Sequence, residues 1–120
     1  MYMMNEDQRA KLDEIDEKYK NAPDYPLNLI QAIFGVKAND IQIIDAEKTQ
    51  ELVREIEEEF LGSIQGAVYQ CLFVENRGLY ETAGYLSISA EWVNSLSLEV
   101  LRKLKHPKWS RPIRDCIEFK

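Results

Sequence analysis

The apolar residues between positions 79 and 104 are spaced in a way that few folds can satisfy. A small residue, Ala83, stands in the middle of a first short apolar pattern, and Val93 and Leu96 share one face of a second. Two short helices that cross at a steep angle need a small residue where they approach and apolar inner faces around a tight turn. The segment therefore predicts a helix-turn-helix, although Thr82 stands where an aliphatic residue is usual. The other inward and turn positions are Leu86, Ser87 and Ile88.

The second helix of this pair has clear start and end signals. Ser89 is a suitable N-cap, and Glu91 lies close to the positive end of the helix dipole. Val100, Leu101 and Leu104 continue the apolar side. The helix is therefore predicted to extend to about Leu104.

The residues that close this helix resemble a known family. The run Leu-Arg-Lys-Leu-Lys-His-Pro at Leu101–Pro107 resembles the end of the −35-binding domain, region 4, of bacterial primary sigma factors. The resemblance extends without a gap from Leu79 to Pro107, and Trp109–Ile117 resembles the short terminal segment that follows in the family. Ala46–Val74 matches more loosely the two helices that precede the motif. Residues 1–44 have no counterpart.

The resemblance implies a small DNA-binding protein associated with transcription. In the family, the second helix of the motif enters the major groove, where its exposed side chains contact bases and phosphates. The basic segment after that helix lies, in the family, where transcription activators dock. The candidate DNA-binding residues of this chain are Ser89, Glu91, Asn94, Ser95, Arg102, Lys103, Lys105 and Lys108.

The predicted recognition helix departs from the family's pattern. Family members carry arginines and a glutamine at its exposed positions, whereas this chain agrees only at Glu91 and has no Arg or Lys in the helix before Arg102. A good bidentate base contact is worth roughly 1–3 kcal/mol of discrimination, so weak reading of a −35-type element is predicted. The alternative is a protein-interaction module that binds RNA polymerase or a sigma or anti-sigma partner, as a phage or mobile-element regulator would. The departing positions, all expected to be exposed, are Ala90, Trp92, Asn94 and Ser95.

Trp92 has three interpretations. Its indole can be buried against residues 1–44, can contact a protein partner, or can stack on DNA. Tryptophan is enriched at the energetic hot spots of protein interfaces. Trp92 is therefore the candidate partner-binding residue.

Charge is distributed unevenly along the chain, whose formal net charge is −6. Residues 1–99 contain 8 Lys and Arg against 19 Asp and Glu, whereas residues 100–120 contain 7 against 2. A chain polarised in this way can present one basic end to an anion. The basic segment from Arg102 to Arg114 is either a solvated helix end, where cations suit the helix dipole, or a surface for phosphate or an acidic protein. The acidic N-terminal part can shield that end or mimic the charge of DNA.

The region before residue 45 predicts a helical extension. The charged pattern Asn5–Asn21, with apolar residues at +3 and +4, indicates a helix that rests one edge on the body or forms a dimerising or partner-binding seam. Asp24 is a suitable cap for a second helix at Pro26–Phe34, and Gly35 is placed to end it. The segment Ile41–Ile44 is either a short strand or an extended connector.

Residues 1–44 are thus predicted as the extension and residues 45–120 as a sigma region 4-like domain. Asp45 is a suitable N-cap for a helix that reaches Phe60, and Ser63 is suitable for the next. The stretch Gly62–Val74 contains no charged residue, which indicates a buried helix. The expected fold is all-α, a bundle of roughly five to seven short helices that contains the C-terminal helix-turn-helix.

The sequence lacks the groupings that catalysis or metal binding requires. The only histidine, His106, stands beside Pro107, which indicates a helix end rather than a catalyst. No Ser/His/Asp grouping, phosphate-binding glycine loop or His/Cys metal spacing is present, so neither enzymatic activity nor a cofactor is expected. Cys71 and Cys116 have no paired spacing, and no stretch approaches the ~20 apolar residues of a membrane span. A cytoplasmic protein without a membrane partner is therefore expected.

Overall fold

The computed structural model describes residues 5–120 of the chain. Their fold is all-α, which confirms the prediction: seven helices form a bundle with two short strands beside it. The helices are α1 (Glu6–Lys20), α2 (Leu27–Phe34), α3 (Ala46–Phe60), α4 (Ile64–Tyr69, continued by a π-helical turn over Gln70–Val74), α5 (Leu79–Leu86), α6 (Ala90–Leu104) and α7 (Pro107–Asp115). The strands are β1 (Ile41–Ile43), preceded by a 3-10 turn at Ala38–Asp40, and β2 (Ile117–Phe119).

Helix α6 lies at the centre of the bundle. It packs against α4 and α5 and also contacts α1, α2 and α7. On its inner face Val93, Val100 and Leu104 are completely buried. Leu12 of α1 and Ile33 of α2 belong to the same buried cluster, so one core includes residues from both sides of the predicted boundary between residues 44 and 45. The division of the chain at that boundary stays a prediction.

Side chains cap the helices in the middle of the chain at the predicted positions. Asp45 accepts the Lys48 N–H over 3.0 Å, and Ser63 accepts the Gly66 N–H over 3.0 Å. These bonds satisfy amides that have no partner inside the first turn of a helix. Gly35 ends α2 as predicted, in the left-handed conformation that glycine adopts without strain, with φ of 67°.

Asp24 does not cap α2, which corrects the prediction. The helix begins at Leu27, and its N-cap is Pro26, which makes no side-chain hydrogen bond. Asp24 lies two residues before that position and contributes only its main-chain carbonyl, which accepts the Asn28 N–H over 3.4 Å. A carboxylate can bridge to the second or third amide of a helix only from the N-cap itself.

The uncharged stretch after Gly62 forms α4 and its π-helical turn. Its buried residues are Val68, Tyr69, Cys71, Leu72 and Phe73, as predicted, whereas Ile64 at its start is 41% exposed, which corrects the prediction there. Val68 and Leu72 are completely buried, and Cys71 is a buried thiol between them. Burial raises the pKa of the Cys71 thiol, so the side chain stays neutral and behaves as a small apolar residue.

The segment that the sequence left open between strand and connector is a strand. β1 pairs with β2 in antiparallel register, with Ile41 opposite Phe119 and Ile43 opposite Ile117. The Lys120 N–H adds a further hydrogen bond to the Asp40 carbonyl over 2.8 Å. The sheet therefore attaches the end of the chain to the segment just before α3.

A buried carboxylate joins α1 to the helix-turn-helix. Asp16, only 5% exposed, accepts the Tyr80 N–H through Oδ1 over 3.2 Å and pairs through Oδ2 with Lys20 Nζ at 3.0 Å. The N-cap of α5 is Gly78, which has no side chain to cap the helix. A Cβ at position 78 would collide with Asp16 Oδ1. Asp16 therefore supplies from α1 the cap that α5 lacks.

We expect Asp16→Ala to lower the free energy of unfolding by about 1–2 kcal/mol, the usual cost of a lost helix cap. The exposed change Glu14→Ala on the same helix is the control and should shift it by no more than about 0.5 kcal/mol. Urea unfolding followed by circular dichroism measures both. Equal shifts for the two variants would show that Asp16 does not act as the cap.

Candidate functional site

The turn between α5 and α6 is built as the sequence predicts. α5 ends at Leu86, and Ser87 adopts the left-handed conformation with φ of 57°. The Ile88 N–H then donates to the Ala83 carbonyl over 3.0 Å, which satisfies a carbonyl at the end of α5. Ala83 itself is buried, so its small side chain lets the two helices approach closely.

Thr82 fits the buried interface without leaving a polar group unpaired. It is completely buried, and its hydroxyl donates to the Gly78 carbonyl over 2.8 Å. Because the hydroxyl forms this hydrogen bond, it is not left as an unpaired buried donor, and its burial does not cost the free energy of an unmade hydrogen bond. A threonine can therefore occupy the position at which an aliphatic residue is usual.

Ala90 is buried, with 9% of its surface exposed, which corrects the prediction that it belongs to the exposed face of α6. It stands three residues before Val93 and seven before Ser97, both completely buried. Residues at these intervals lie on one side of a helix. Ala90 is therefore an inner residue and offers nothing to a ligand.

The outward face of α6 carries the other predicted contact residues of this helix. Ser95 and Arg102 are exposed, and Glu91 and Asn94 are half-buried. The three- and four-residue intervals from Glu91 to Ser95, Leu98 and Arg102 place these side chains along one line. Leu98, 58% exposed, stands in the middle of that line. The face is thus acidic at its start, apolar at its centre and basic only at its end.

Ser89 is exposed but engaged at the start of α6. Its Oγ accepts the Trp92 N–H over 3.1 Å, which confirms its predicted role as the N-cap. A serine hydroxyl that accepts one hydrogen bond can still donate its proton to another group. A phosphate contact from Ser89 would therefore have to use that proton.

Trp92 is 49% exposed, so its burial against the N-terminal extension was the wrong interpretation. Tyr85, on the neighbouring helix α5, is 68% exposed. In contrast, the other tryptophan, Trp109, is buried. The contact with a protein partner and the stacking on DNA both stay open for Trp92.

Lys103 is tied to α4 rather than free in solvent. Its Nζ donates to Gln65 Oε1 over 2.6 Å and lies 5.8 Å from the centre of the Phe60 ring. Gln65 Nε2 in turn donates to Glu99 Oε2 over 2.8 Å. This chain of hydrogen bonds runs along one flank of α6. It leaves Lys103 less available to an external anion than the other predicted basic residues.

The basic segment spans the end of α6 and the whole of α7. His106 follows the end of α6, as predicted, and is also the N-cap of α7, where its Nδ1 accepts the Lys108 N–H over 3.1 Å. Arg114 is held against the C-terminus, since it donates to the Ile117 carbonyl over 3.1 Å and lies 4.3 Å from the Phe119 ring. Lys103 and Arg114 are exposed but make these contacts, and the other exposed basic side chains at the end of α6 and in α7 are Arg102, Lys105, Lys108 and Arg111.

A shallow cleft of about 340 Å³ opens beside this turn. Its lining includes the basic residues Arg102, Lys103 and Lys108, the acidic residue Glu59 and the indole of Trp109. Lys108 Nζ lies 5.0 Å from the centre of that indole, which favours a cation over the ring face. Arg102 and Lys108 are the cations that can meet an anionic group at this cleft, whereas the carboxylate of Glu59 repels one.

Tyr80, on the outer side of α5, is bound to α1. Its hydroxyl donates to Asp13 Oδ1 over 2.6 Å. This hydrogen bond to a carboxylate, followed by desolvation, raises the pKa of Tyr80 to about 12. The phenol therefore stays protonated at neutral pH and serves as a donor that fixes α1 to the helix-turn-helix.

The sequence patterns did not identify the contacts of Asp13 and Asp16 with α5. The one available signal was Gly78, a helix start without a capping side chain, directly after a turn. Such a start predicts that a cap comes from elsewhere, but it does not say which carboxylate provides it.

No family model matches the chain, and comparison with curated proteins and with solved structures found no match. No helix among residues 5–120 is long and apolar enough to cross a membrane. Within the same residues, no group of three or more His, Cys, Asp or Glu is placed to hold a metal ion.

The two tryptophans should give distinct fluorescence signals, because an indole in water emits at longer wavelength than a buried one. We expect the emission of Trp109→Phe, in which Trp92 remains, to be red-shifted and strongly quenched by acrylamide. Trp92→Phe should show blue-shifted emission that acrylamide quenches weakly. Each variant serves as the control for the other, and matching quenching constants would contradict the exposure assigned to Trp92.

Proposed function

We propose that the protein is a small transcription-associated DNA-binding protein with a sigma region 4-like helix-turn-helix. The observation that carries this proposal is the set of exposed basic side chains at the turn between α6 and α7. Arg102 lies in the last turn of the second helix of the motif, and Lys105, Lys108 and Arg111 follow that helix. Phosphate contacts of this kind position a helix-turn-helix on a duplex.

In this proposal the phosphate backbone supplies most of the affinity. The first half of the outward face of α6 carries Glu91 and no basic residue, so an arginine-to-guanine contact is absent there. Asn94 and Ser95 are the side chains that can form hydrogen bonds with base edges. Glu91 can accept a hydrogen bond from cytosine. The expected binding is weakly specific and strongly dependent on salt.

A second function is favoured by a different observation, the exposed apolar side chains of the motif. Trp92 and Tyr85 are exposed on α6 and α5, and Leu98 is exposed at the centre of the outward face. Each of these exposed side chains offers apolar surface to a partner, and tryptophan and tyrosine are frequent at the hot spots of protein interfaces. The alternative is therefore a protein-interaction module that binds RNA polymerase or a sigma or anti-sigma partner.

Charge reversal at the basic turn tests the DNA-binding proposal. We expect Arg102→Glu combined with Lys108→Glu to weaken binding to a random duplex at low salt at least about tenfold. The slope of log K against log salt should fall by roughly 1.8, since each lost phosphate contact removes about 0.9. Fluorescence anisotropy over a range of salt concentrations measures both quantities.

The control variant is Lys48→Glu, which makes the same kind of charge change at an exposed site in the first turn of α3. It should bind DNA like the unchanged protein. Absence of binding by the unchanged protein at low salt would reject DNA binding, whereas binding unaffected by the double reversal would reject the assigned surface.

The protein-interaction alternative predicts a different sensitivity. Trp92→Ala should weaken the affinity for purified RNA polymerase roughly thirtyfold, which corresponds to a hot spot of about 2 kcal/mol. Leu61→Ala, at an 83% exposed residue after α3, is the apolar control and should bind normally. Surface-immobilised polymerase allows both dissociation constants to be measured. If the polymerase does not bind the unchanged protein, or if it binds Trp92→Ala as tightly as the unchanged protein, Trp92 is not the anchor.

A further inference from the structure

A groove of about 790 Å³ lies between the N-terminal extension and α6, on the flank opposite Gln65. The end of α1, the outer side of α2 and the loop that follows α2 form its walls, and Leu98 and Leu101 of α6 face it. Ligand pockets in proteins have volumes of about 300–1,000 Å³. The groove therefore has the size of a small-molecule site.

The floor of the groove is fixed by specific contacts. The Tyr19 and Phe73 rings meet edge to face with their centres 5.7 Å apart. The buried side chain of Asn28 donates through Nδ2 to the Phe73 carbonyl over 2.8 Å. Asn76 Nδ2 donates to the carbonyls of Ala22 and Pro23, at 3.2 Å each, and so holds the turn after α1. The contacts that shape the floor are thus all made within the chain.

The charge of the groove is opposite to that of the chain. Its lining contains Lys18, Lys37 and Lys105, and none of the described residues that line it is Asp or Glu. The formal net charge of the whole chain is −6. None of these three lysines forms an ion pair with another described residue. Three unpaired ammonium groups around one groove favour an anionic occupant.

The apolar residues of the lining indicate that the ligand has an apolar part as well as an anionic group. Tyr19, Phe73, Leu98 and Leu101 come from α1, from the π-helical turn and from α6. Leu98 is 58% exposed, which leaves apolar surface in water that an apolar ligand would cover. An inorganic anion would use the lysines and leave this surface bare.

We propose that the groove binds a small amphipathic carboxylate, with its anionic head among the three lysines and its apolar body against Leu98 and Leu101. An acidic helix of a protein partner is the less favoured occupant, because the volume of the groove lies within the range of small-molecule sites. The proposal does not rest on DNA binding, since none of the groove residues except Lys105 belongs to the basic turn.

Titration calorimetry with decanoate tests the proposal on the full chain. The unchanged protein should bind decanoate at one site and should bind neither acetate, which lacks the apolar body, nor decyltrimethylammonium, which reverses the charge. Lys37→Glu and Leu98→Glu should each weaken decanoate binding at least tenfold, because each places a carboxylate in the groove. Both residues are exposed, and the urea midpoint of each variant verifies its folding.

Lys108→Glu is the matched control, because Lys108 lies outside the groove. It should bind decanoate normally, even if it binds DNA less well. The proposal is overturned if decanoate does not bind, if Lys108→Glu loses as much affinity as Lys37→Glu, or if decyltrimethylammonium binds equally well. Binding of an acidic amphipathic peptide that Leu98→Glu abolishes, without any binding of decanoate, would assign the groove to a protein partner instead.

Discussion

The buried face of α6 organises the bundle. Val93, Val100 and Leu104 pack inward without any exposure, and this apolar burial supplies the main driving force for the position of the helix. Five other helices contact α6, so its orientation also determines their positions in the bundle. Once this face is buried, the opposite face is outward by helical geometry. Each candidate surface includes residues of that outward side.

The N-terminal extension divides the outward side of α6 into distinct surfaces. Asp16 and Asp13 hold α1 against α5 by hydrogen bonds to the main chain and the hydroxyl of Tyr80. α1 and α2 thereby stand along one flank of α6 and create the groove that contains Leu98. On the other flank, the hydrogen bonds of Gln65 connect α4 to α6. The extension is thus part of the candidate site and not an appendage to it.

The two proposed functions use opposite ends of the same helix. The start of α6 has Trp92 and Glu91 and lacks cations, which suits a protein contact better than a phosphate backbone. The end of α6 and the start of α7 carry Arg102, Lys105 and Lys108 in exposed positions, which suits an anion. Because the cations are confined to one end, phosphate contact and base reading use different parts of α6 in the proposed DNA-binding function.

The local features of the fold could be predicted from the amino-acid sequence: the all-α class, the helix-turn-helix spacing, the caps at Asp45, Ser63 and Ser89, and the basic end. These features follow from helical periodicity and helix capping, which relate residues three or four positions apart and can therefore be recognised in a single sequence. Four features depend on contacts between distant parts of the chain and could not be predicted in this way: the burial of Ala90, the pairing of β1 with β2, the capping of α5 by Asp16 and the lysine-rimmed groove. Asp16 and Tyr80 are 64 residues apart. The local pattern of the sequence does not encode which distant side chain meets an unpaired amide, because that choice is made when the helices pack against one another.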